Sequence, residues 1–221
     1  MSEPRIVTID GPAGVGKSTV AKMLSAELGV PYLDTGAMYR AVAYHLGEGS
    51  WEWTTGKLQV ELDGLDFTLH GSGEGSYLKV NGAAIGDEIR TEQVGLWASN
   101  VAVLPPVRAY LKMAQIMLGR TTPLVAEGRD MGTVVFPDAE HKLFLDADPD
   151  VRAKRRYDQL RAMGEEPDLE ELTAAIAKRD LQDRTRSVAP LKPADDAVVV
   201  DTTDLSLDEV FARVLAAVRG N

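Results

Sequence analysis

Eight residues near the start of the chain, Gly11-Pro12-Ala13-Gly14-Val15-Gly16-Lys17-Ser18, follow the spacing G-x-x-x-x-G-K-S. Glycines at these positions let backbone N–H groups converge on phosphate oxygens. A lysine adds a point charge, and a serine hydroxyl can ligate a magnesium ion. The apolar run Ile6-Val7-Thr8-Ile9 precedes the loop and a helix-like segment follows it, so a helix N-terminus would face the anion. A bound triphosphate is the chemistry this arrangement serves; a ligand-free glycine-rich turn is the alternative. The loop alone does not say which reaction follows.

Three further groups of residues could do chemistry on a second anion. Leu33-Asp34-Thr35-Gly36-Ala37-Met38-Tyr39-Arg40 follows a strand and opens a helix, offering a hydroxyl, backbone N–H groups and Arg40. Helix capping by Asp34 or Thr35 is the competing explanation. Glu127-Gly128-Arg129-Asp130-Met131-Gly132 closes the apolar run Leu124 to Ala126. There Glu127 could hold magnesium through water, Arg129 could bind phosphate, and Asp130 could accept a hydrogen bond from an exocyclic amine. A surface Arg-Asp pair would read the same way. Finally, Arg152 and Arg156 are four apart, and Arg179, Asp183 and Arg186 fall at i, i+4 and i+7, so each set makes one helical stripe. Either stripe could be a solvated face laced with salt bridges. Phosphoryl transfer, however, spreads charge over the moving group, and arginines from a closing lid can stabilise it.

These residues need a scaffold, and the apolar patterning supplies one. Arg5 to Asp10 and Val30 to Asp34 read as strands flanking a helix over Lys17 to Leu28. Pro123 to Glu127, Lys142 to Asp146 and Ala197 to Asp201 read as buried parallel strands separated by helical stretches. All five runs end in an acid, and ligands of open α/β sheets gather at such strand ends. Between Trp51 and Arg90 the composition turns glycine-rich, and Asn81-Gly82 between short alternating runs predicts a hairpin in a small β-rich insertion. Helices are expected from about Thr91 to Val103 and from Pro105 to Gly119. Asp168 with Glu171, and Ser206 with Glu209, predict capping boxes.

At 221 residues, 44% hydrophobic and 26% charged, the chain has the composition of one globular body. A net charge of -10 speaks against a nucleic-acid surface, and the absence of cysteine excludes disulfides and thiol chemistry. No run approaches the length of a membrane span and no basic leader precedes the first strand, so a cytoplasmic protein with no membrane partner is expected. No N-K-x-D or D-x-x-G sequence occurs, which weighs against a small GTPase. A kinase for another small molecule and a regulatory module that binds ATP without turning it over stay open at this level.

Five blocks in order narrow the choice: I-D-G-P-A-G-x-G-K-S, L-D-T-G-A-M-Y-R, G-D-E-I-R-T from Gly86, G-R-D-M-G-T-V-V-F-P from Gly128, and R-S-V-A-P-L from Arg186. Through them the chain resembles the bacterial cytidylate kinases of the nucleoside monophosphate kinase family over nearly its whole length. The resemblance implies a P-loop kinase fold, with a five-stranded parallel sheet flanked by helices. The core would span about 1–50, 91–150 and 187–221, with an acceptor-binding insertion at about 51–90 and a helical lid at about 151–186. It implies in-line transfer of the γ-phosphoryl of MgATP to CMP or dCMP in pyrimidine metabolism, by a monomer. Gly11, Pro12, Ala13, Gly14, Val15, Gly16, Lys17, Ser18 and Thr19 would then bind ATP. Ser99, Arg108 and Asp130 would meet the cytosine, and Arg179 with Asp183 the sugar hydroxyls. Thr35, Arg40, Arg129 and Arg186 would hold the acceptor phosphate. Lys17, Arg129, Arg152, Arg156 and Arg186 would act on the moving group, with Mg2+ held by Ser18 and, through water, by Glu127. Around Trp51 to Tyr77 the resemblance is weakest.

Overall fold

A computed structural model describes residues 6–220, so Arg5 of the expected first strand and residues 1–4 and 221 of the expected core lie outside the described residues. In chain order the elements are β1 (Ile6–Asp10), α1 (Lys17–Leu28), β2 (Tyr32–Asp34) and α2 (Thr35–Leu46), then α3 (Thr55–Asp63). Next come β3 (Phe67–His70), β4 (Tyr77–Val80), β5 (Ala83–Ala84), α4 (Glu92–Val101) and α5 (Pro105–Thr121). The chain closes with β6 (Leu124–Gly128), β7 (His141–Asp146), α6 (Pro149–Ala162), α7 (Leu169–Thr185), β8 (Val198–Asp201) and α8 (Leu207–Arg219).

A five-stranded parallel sheet of order β2-β6-β1-β7-β8 forms the centre. Alternation along each strand divides the core into two layers. Val7, Ile9, Val125 and Leu145 pack with Val20 and Leu24 of α1 and Val210 and Val214 of α8. Leu33, Leu124 and Ala126 face the other way, onto Met38 of α2, Val94 of α4 and Leu111 of α5. Covered on both faces, β6 is buried along its whole length, as an apolar run of a parallel strand should be.

The expectation of a buried last strand is corrected at β8. It is the sheet edge, where Val198 and Val199 are half-exposed and only Val200 is buried. Its first expected residue, Ala197, belongs to the preceding turn, donating its N–H to Ala194.

The stretch from 51 to 90 contains the expected hairpin, with Asn81 (φ 50°) and Gly82 (φ 80°) turning β4 into β5. Both turn residues have positive φ, as a two-residue type I′ turn requires. The insertion is not wholly β, for α3 opens it, capped by the Thr54 hydroxyl and anchored in the core by Leu58 and Leu62. Its three-stranded antiparallel sheet is tied back to the main body. Gly73 donates its N–H to the Val30 carbonyl at 3.0 Å, and the Tyr32 N–H donates to the Ser76 hydroxyl at 2.9 Å. A Cβ at Gly73 would lie 2.9 Å from the Ala26 Cα, so this contact of loop on helix needs glycine.

Of the two expected capping boxes, Ser206 with Glu209 closes in both directions, while the Asp168 carboxylate caps the Glu171 N–H at 3.0 Å. Strand pairing aligns Asp34 with Glu127 and Asp10 with Gly128, which brings three acidic strand ends to one edge of the sheet. The other two acids serve local structure: Asp146 pairs with Arg184, and Asp201 accepts from Thr203.

Candidate active site

The loop from Gly11 to Gly16 leaves the central strand β1 and enters α1 at Lys17. Gly11 has φ +149°, and a Cβ there would meet the Leu145 carbonyl oxygen at 2.1 Å, so no other residue fits. Gly14 and Gly16 take positive φ as well, while buried Val15 pins the loop to the core. Pro12 is buried and Ala13 half-buried, and Ser18 and Thr19 stand exposed on the first turn of α1. The Lys17 ammonium folds inward and donates to the Pro12 carbonyl at 2.7 Å. Burial, and then the charge of Arg129, lower its pKa to about 7.

Beside the loop lies an oxygen-rich corner. Tyr32 donates its hydroxyl hydrogen to the Glu127 carboxylate, which also interacts with the Ser18 hydroxyl. Burial, then the charge of Asp34, raise the Glu127 pKa. Asp34 caps α2 by accepting the Ala37 N–H at 2.8 Å, which answers the capping alternative in its favour while leaving the Thr35 hydroxyl free of that task. Among the described residues no group of three or more His, Asp or Glu is arranged around a cation. One exposed hydroxyl and a neighbouring carboxylate nevertheless suit Mg2+, which keeps several waters and takes few protein ligands when phosphates supply the rest.

Across the cleft, Thr35, Arg40, Ser99, Arg108, Arg129, Asp130, Arg179, Asp183 and Arg186 all line one cavity. Five segments deliver them: α2, α4, α5, the turn after β6, and α7 with the residue that follows it. Thr35 donates to the Glu127 carbonyl at 2.6 Å, which links this wall to the oxygen-rich corner. Arg108 and Asp130 pair at 2.5 Å, Arg129 and Asp183 at 2.9 Å, and Arg186 lies 3.7 Å from both Asp130 and Asp183. The Ser99 hydroxyl bonds back to the Gly95 carbonyl at 3.1 Å. One buried donor, Nη2 of Arg186, makes no hydrogen bond and has only the ion pair with Oδ1 of Asp130 at 3.7 Å. A donor without a hydrogen bond at a cavity wall is costly unless a ligand satisfies it.

Electrostatics point the same way. In a chain of net charge -10, cations have been brought close enough to depress one another. Arg179 has its pKa lowered by burial and then by Arg129; Arg40 is lowered by burial, and Arg90 and Arg156 act on it in the same sense. Arg129 and Arg179 both act on Lys17. Mutual repulsion of this kind disfavours the empty site and favours an anion in it.

The two arginines expected of a lid behave differently from one another. Arg156 is partly exposed, bonds Gln159 of its own helix at 2.9 Å, and lies within electrostatic reach of Arg40. Arg152, expected on the same face, is only 1% exposed, paired with Asp180 and bonded to the Ala13 carbonyl at 3.0 Å. Arg186 is also displaced from its expected stripe: α7 ends at Thr185, and Arg186 is the extended residue after it. It still reaches the cavity because its Nε donates to the Ala189 carbonyl at 2.6 Å.

Several cavity residues were not singled out by sequence. Tyr39 faces Arg108, Asp130 and Arg186, and burial pushes its phenol up to about 12. Gly95 sits inside α4, where a Cβ would be 3.1 Å from Nη1 of Arg40; a glycine within a helix was the available signal. Gln182 also lines the wall and carries no signal in the sequence, whereas Gly36 lies in the Leu33–Arg40 stretch. Ala189, at φ +52° before Pro190, is strained, and its carbonyl orients Arg186. No residue from 51 to 85 lines the cavity; the insertion touches its rim where Arg40 donates to the carbonyls of Ile89 and Thr91, at 3.3 Å each.

A phosphate-gripping loop at the strand ends of a parallel sheet, facing a second cationic cavity, defines a phosphotransferase of the P-loop kinase class. The chain belongs to the cytidylate kinase family, whose model matches residues 7–220. A cytidylate kinase of Maridesulfovibrio salexigens is 57% identical over 97% of this chain and 96% of its own length. One from Thermosipho melanesiensis is 48% identical over 98% of this chain and 97% of its own. A crystal structure of an uncharacterized protein from Eubacterium ventriosum aligns over 99% of this chain and 100% of its own, with a TM-score of 0.54 at 12% identity, a likeness of fold alone. The protein is thus a nucleoside monophosphate kinase.

Proposed function

We propose that this kinase transfers the γ-phosphoryl group of ATP to CMP, and to dCMP, in pyrimidine nucleotide metabolism. A phosphate oxygen of the acceptor attacks the γ-phosphorus in line, the bond to the β–γ bridging oxygen breaks, and ADP and CDP (or dCDP) leave. The observation that carries this reading is the convergence of nine residues, from Thr35 to Arg186, on one cavity beside Lys17. Lys17 and the loop N–H groups hold the donor phosphates. Thr35, Arg40, Arg129 and Arg186 hold the acceptor phosphate.

At the base end, Asp130 accepts from the cytosine N4 amine while Arg108 and Ser99 face the ring acceptors. Arg179 and Asp183 meet the sugar. Repulsion among Lys17, Arg129 and Arg179 is relieved as charge spreads over the moving phosphoryl group, so positioning and electrostatics suffice without a covalent intermediate. Arg156 comes from the lid of residues 151–186, in which Arg152 is instead enclosed against Ala13 and Asp180, and the acceptor-side insertion spans 51–90. Mg2+ held by Ser18, and through water by Glu127, would neutralise phosphate charge. We further infer a cytoplasmic monomer that engages neither nucleic acid nor membrane. The acidic net charge speaks against a nucleic-acid surface, and among the described residues no helix is long and apolar enough to cross a membrane. Phosphorus NMR of the protein with MgATP and CMP tests the reaction: CDP and ADP should appear one for one, and ADP with no CDP would refute it.

A further inference from the structure

Arg152 is the largest side chain fully enclosed in the fold, yet it lies on a helix expected to serve the lid. Its guanidinium ties three segments together. Nε donates to the Ala147 carbonyl at 2.9 Å in the turn after β7, and Nη1 donates to the Ala13 carbonyl at 3.0 Å in the phosphate loop. Nη1 also reaches Oδ1 of Asp180 on α7 at 3.1 Å, while Nη2 bonds Oδ2 of the same carboxylate. Beneath the loop, a Cβ at Gly14 would rest 3.4 Å from the Arg152 Cβ, so the loop backbone sits directly on the arginine stem.

Asp180 is equally well placed at the other end. In an α-helix neighbouring side chains diverge by about 100°. Arg179 and Asp183 therefore look into the acceptor cavity, whereas Asp180, itself buried, looks towards Arg152. A buried ion pair adds little net stability, because desolvation offsets most of the attraction. What a two-pronged arginine–carboxylate pair does supply is fixed geometry. Here that geometry links the loop that holds the donor to the helix that carries two acceptor-facing side chains.

We propose that Asp180 is a positioning residue for phosphoryl transfer. Acting through Arg152, it sets the distance and angle between the phosphate loop and the Arg179–Asp183 face of α7. It touches neither substrate. The inference rests on the CMP kinase reading, and on the fact that an error near 1 Å in the alignment of reactants can cost a hundredfold in rate.

The test is steady-state kinetics of the full chain and of Asp180→Asn, which keeps the shape and removes the charge. Thermal unfolding of each is followed in parallel. The expected result is a 10- to 100-fold fall in kcat, KM for CMP and for ATP within threefold of the parent, and a variant still folded at the assay temperature. Asp180→Glu, which restores the charge on a longer arm, should recover part of the lost kcat. A merely structural pair would lose active protein without this kcat-against-KM split, and Glu would be no better than Asn. An unchanged kcat in folded Asp180→Asn, or a rise in KM alone, overturns the proposal. If Asn unfolds the chain, Asp180→Glu decides: parental kcat in that folded variant overturns the proposal, and a fall in kcat at constant KM supports it. Should the parent protein make no CDP, the reading of function fails instead.

Discussion

Nη2 of Arg108 lies 2.5 Å from Oδ2 of Asp130, with side-chain exposures of only 9% and 6%. The pair is held before any base arrives, and the remaining carboxylate oxygen of Asp130 is turned towards Arg186 at 3.7 Å. A cytosine amine can donate to this carboxylate, whereas uracil would set its O4 acceptor against it. Each unpaired buried group costs about 1 to 3 kcal/mol, so discrimination of about 5- to 150-fold is expected from this contact.

Asp130→Ala should therefore lower the ratio of kcat/KM for CMP to that for UMP by a similar factor. It should also lower stability, because Arg108 loses its buried partner. The ratio is taken on one preparation and does not depend on the fraction folded. An unchanged ratio would remove Asp130 from base recognition.

Lys17 should be coupled to protons. Without nucleotide its pKa is about 7, held down first by burial, so above that pH the amine is mostly neutral. Bound triphosphate favours the cation and raises the pKa. ATP binding should then take up protons above about pH 7 and weaken as pH rises from there. Calorimetry in buffers of different ionisation enthalpy measures the uptake, which should vanish in Lys17→Ala. That variant should fold yet turn over at least a hundredfold more slowly, as expected for loss of a charge on the phosphates. Retention of parental turnover would contradict the assignment of Lys17.

Asp10 connects the two halves of the site. Its carboxylate accepts the N–H groups of Met131 and Gly132 at 2.9 and 2.8 Å, just after Asp130, and its own chain runs directly into Gly11. Burial raises its pKa from 3.8 to about 6 despite those bonds. A raised acid favours the fold fully below the unfolded pKa, and this contribution is lost as pH rises through the folded pKa. Stability should thus fall by on the order of 3 kcal/mol between about pH 4 and 6, beneath the opposing contributions of other carboxylates. Asp10→Asn should lack that component. Identical pH dependence of urea unfolding in the two proteins would contradict the shift.

How much of this was legible in the sequence depended on how local the cause was. The strands β1, β6 and β7 are buried on both faces and announce themselves as apolar runs. The hairpin at Asn81-Gly82 follows from backbone conformations that few residue types adopt. Helix α3 was missed because only Leu58 and Leu62 anchor it in a polar, glycine-flanked stretch. The wide π-type turn Met131–Val135 had no local signal either, because the carboxylate that accepts its first N–H groups is Asp10, far away in sequence. Arg152 shows the limit most clearly. Spacing placed it with Arg156 on one helical face, but its environment is set by Asp180, a helix away, and by Ala13 at the other end of the chain.

The central claim is that a donor loop and a cytosine-reading cavity form one site. A coupled ADP-release assay with CMP, dCMP, UMP, AMP and GMP in parallel, each with MgATP, tests it most directly. The account predicts CMP and dCMP as the best acceptors, with kcat/KM for CMP above that for UMP by about 5- to 150-fold. Equal efficiency with CMP and UMP, or faster turnover of AMP or GMP, would contradict it.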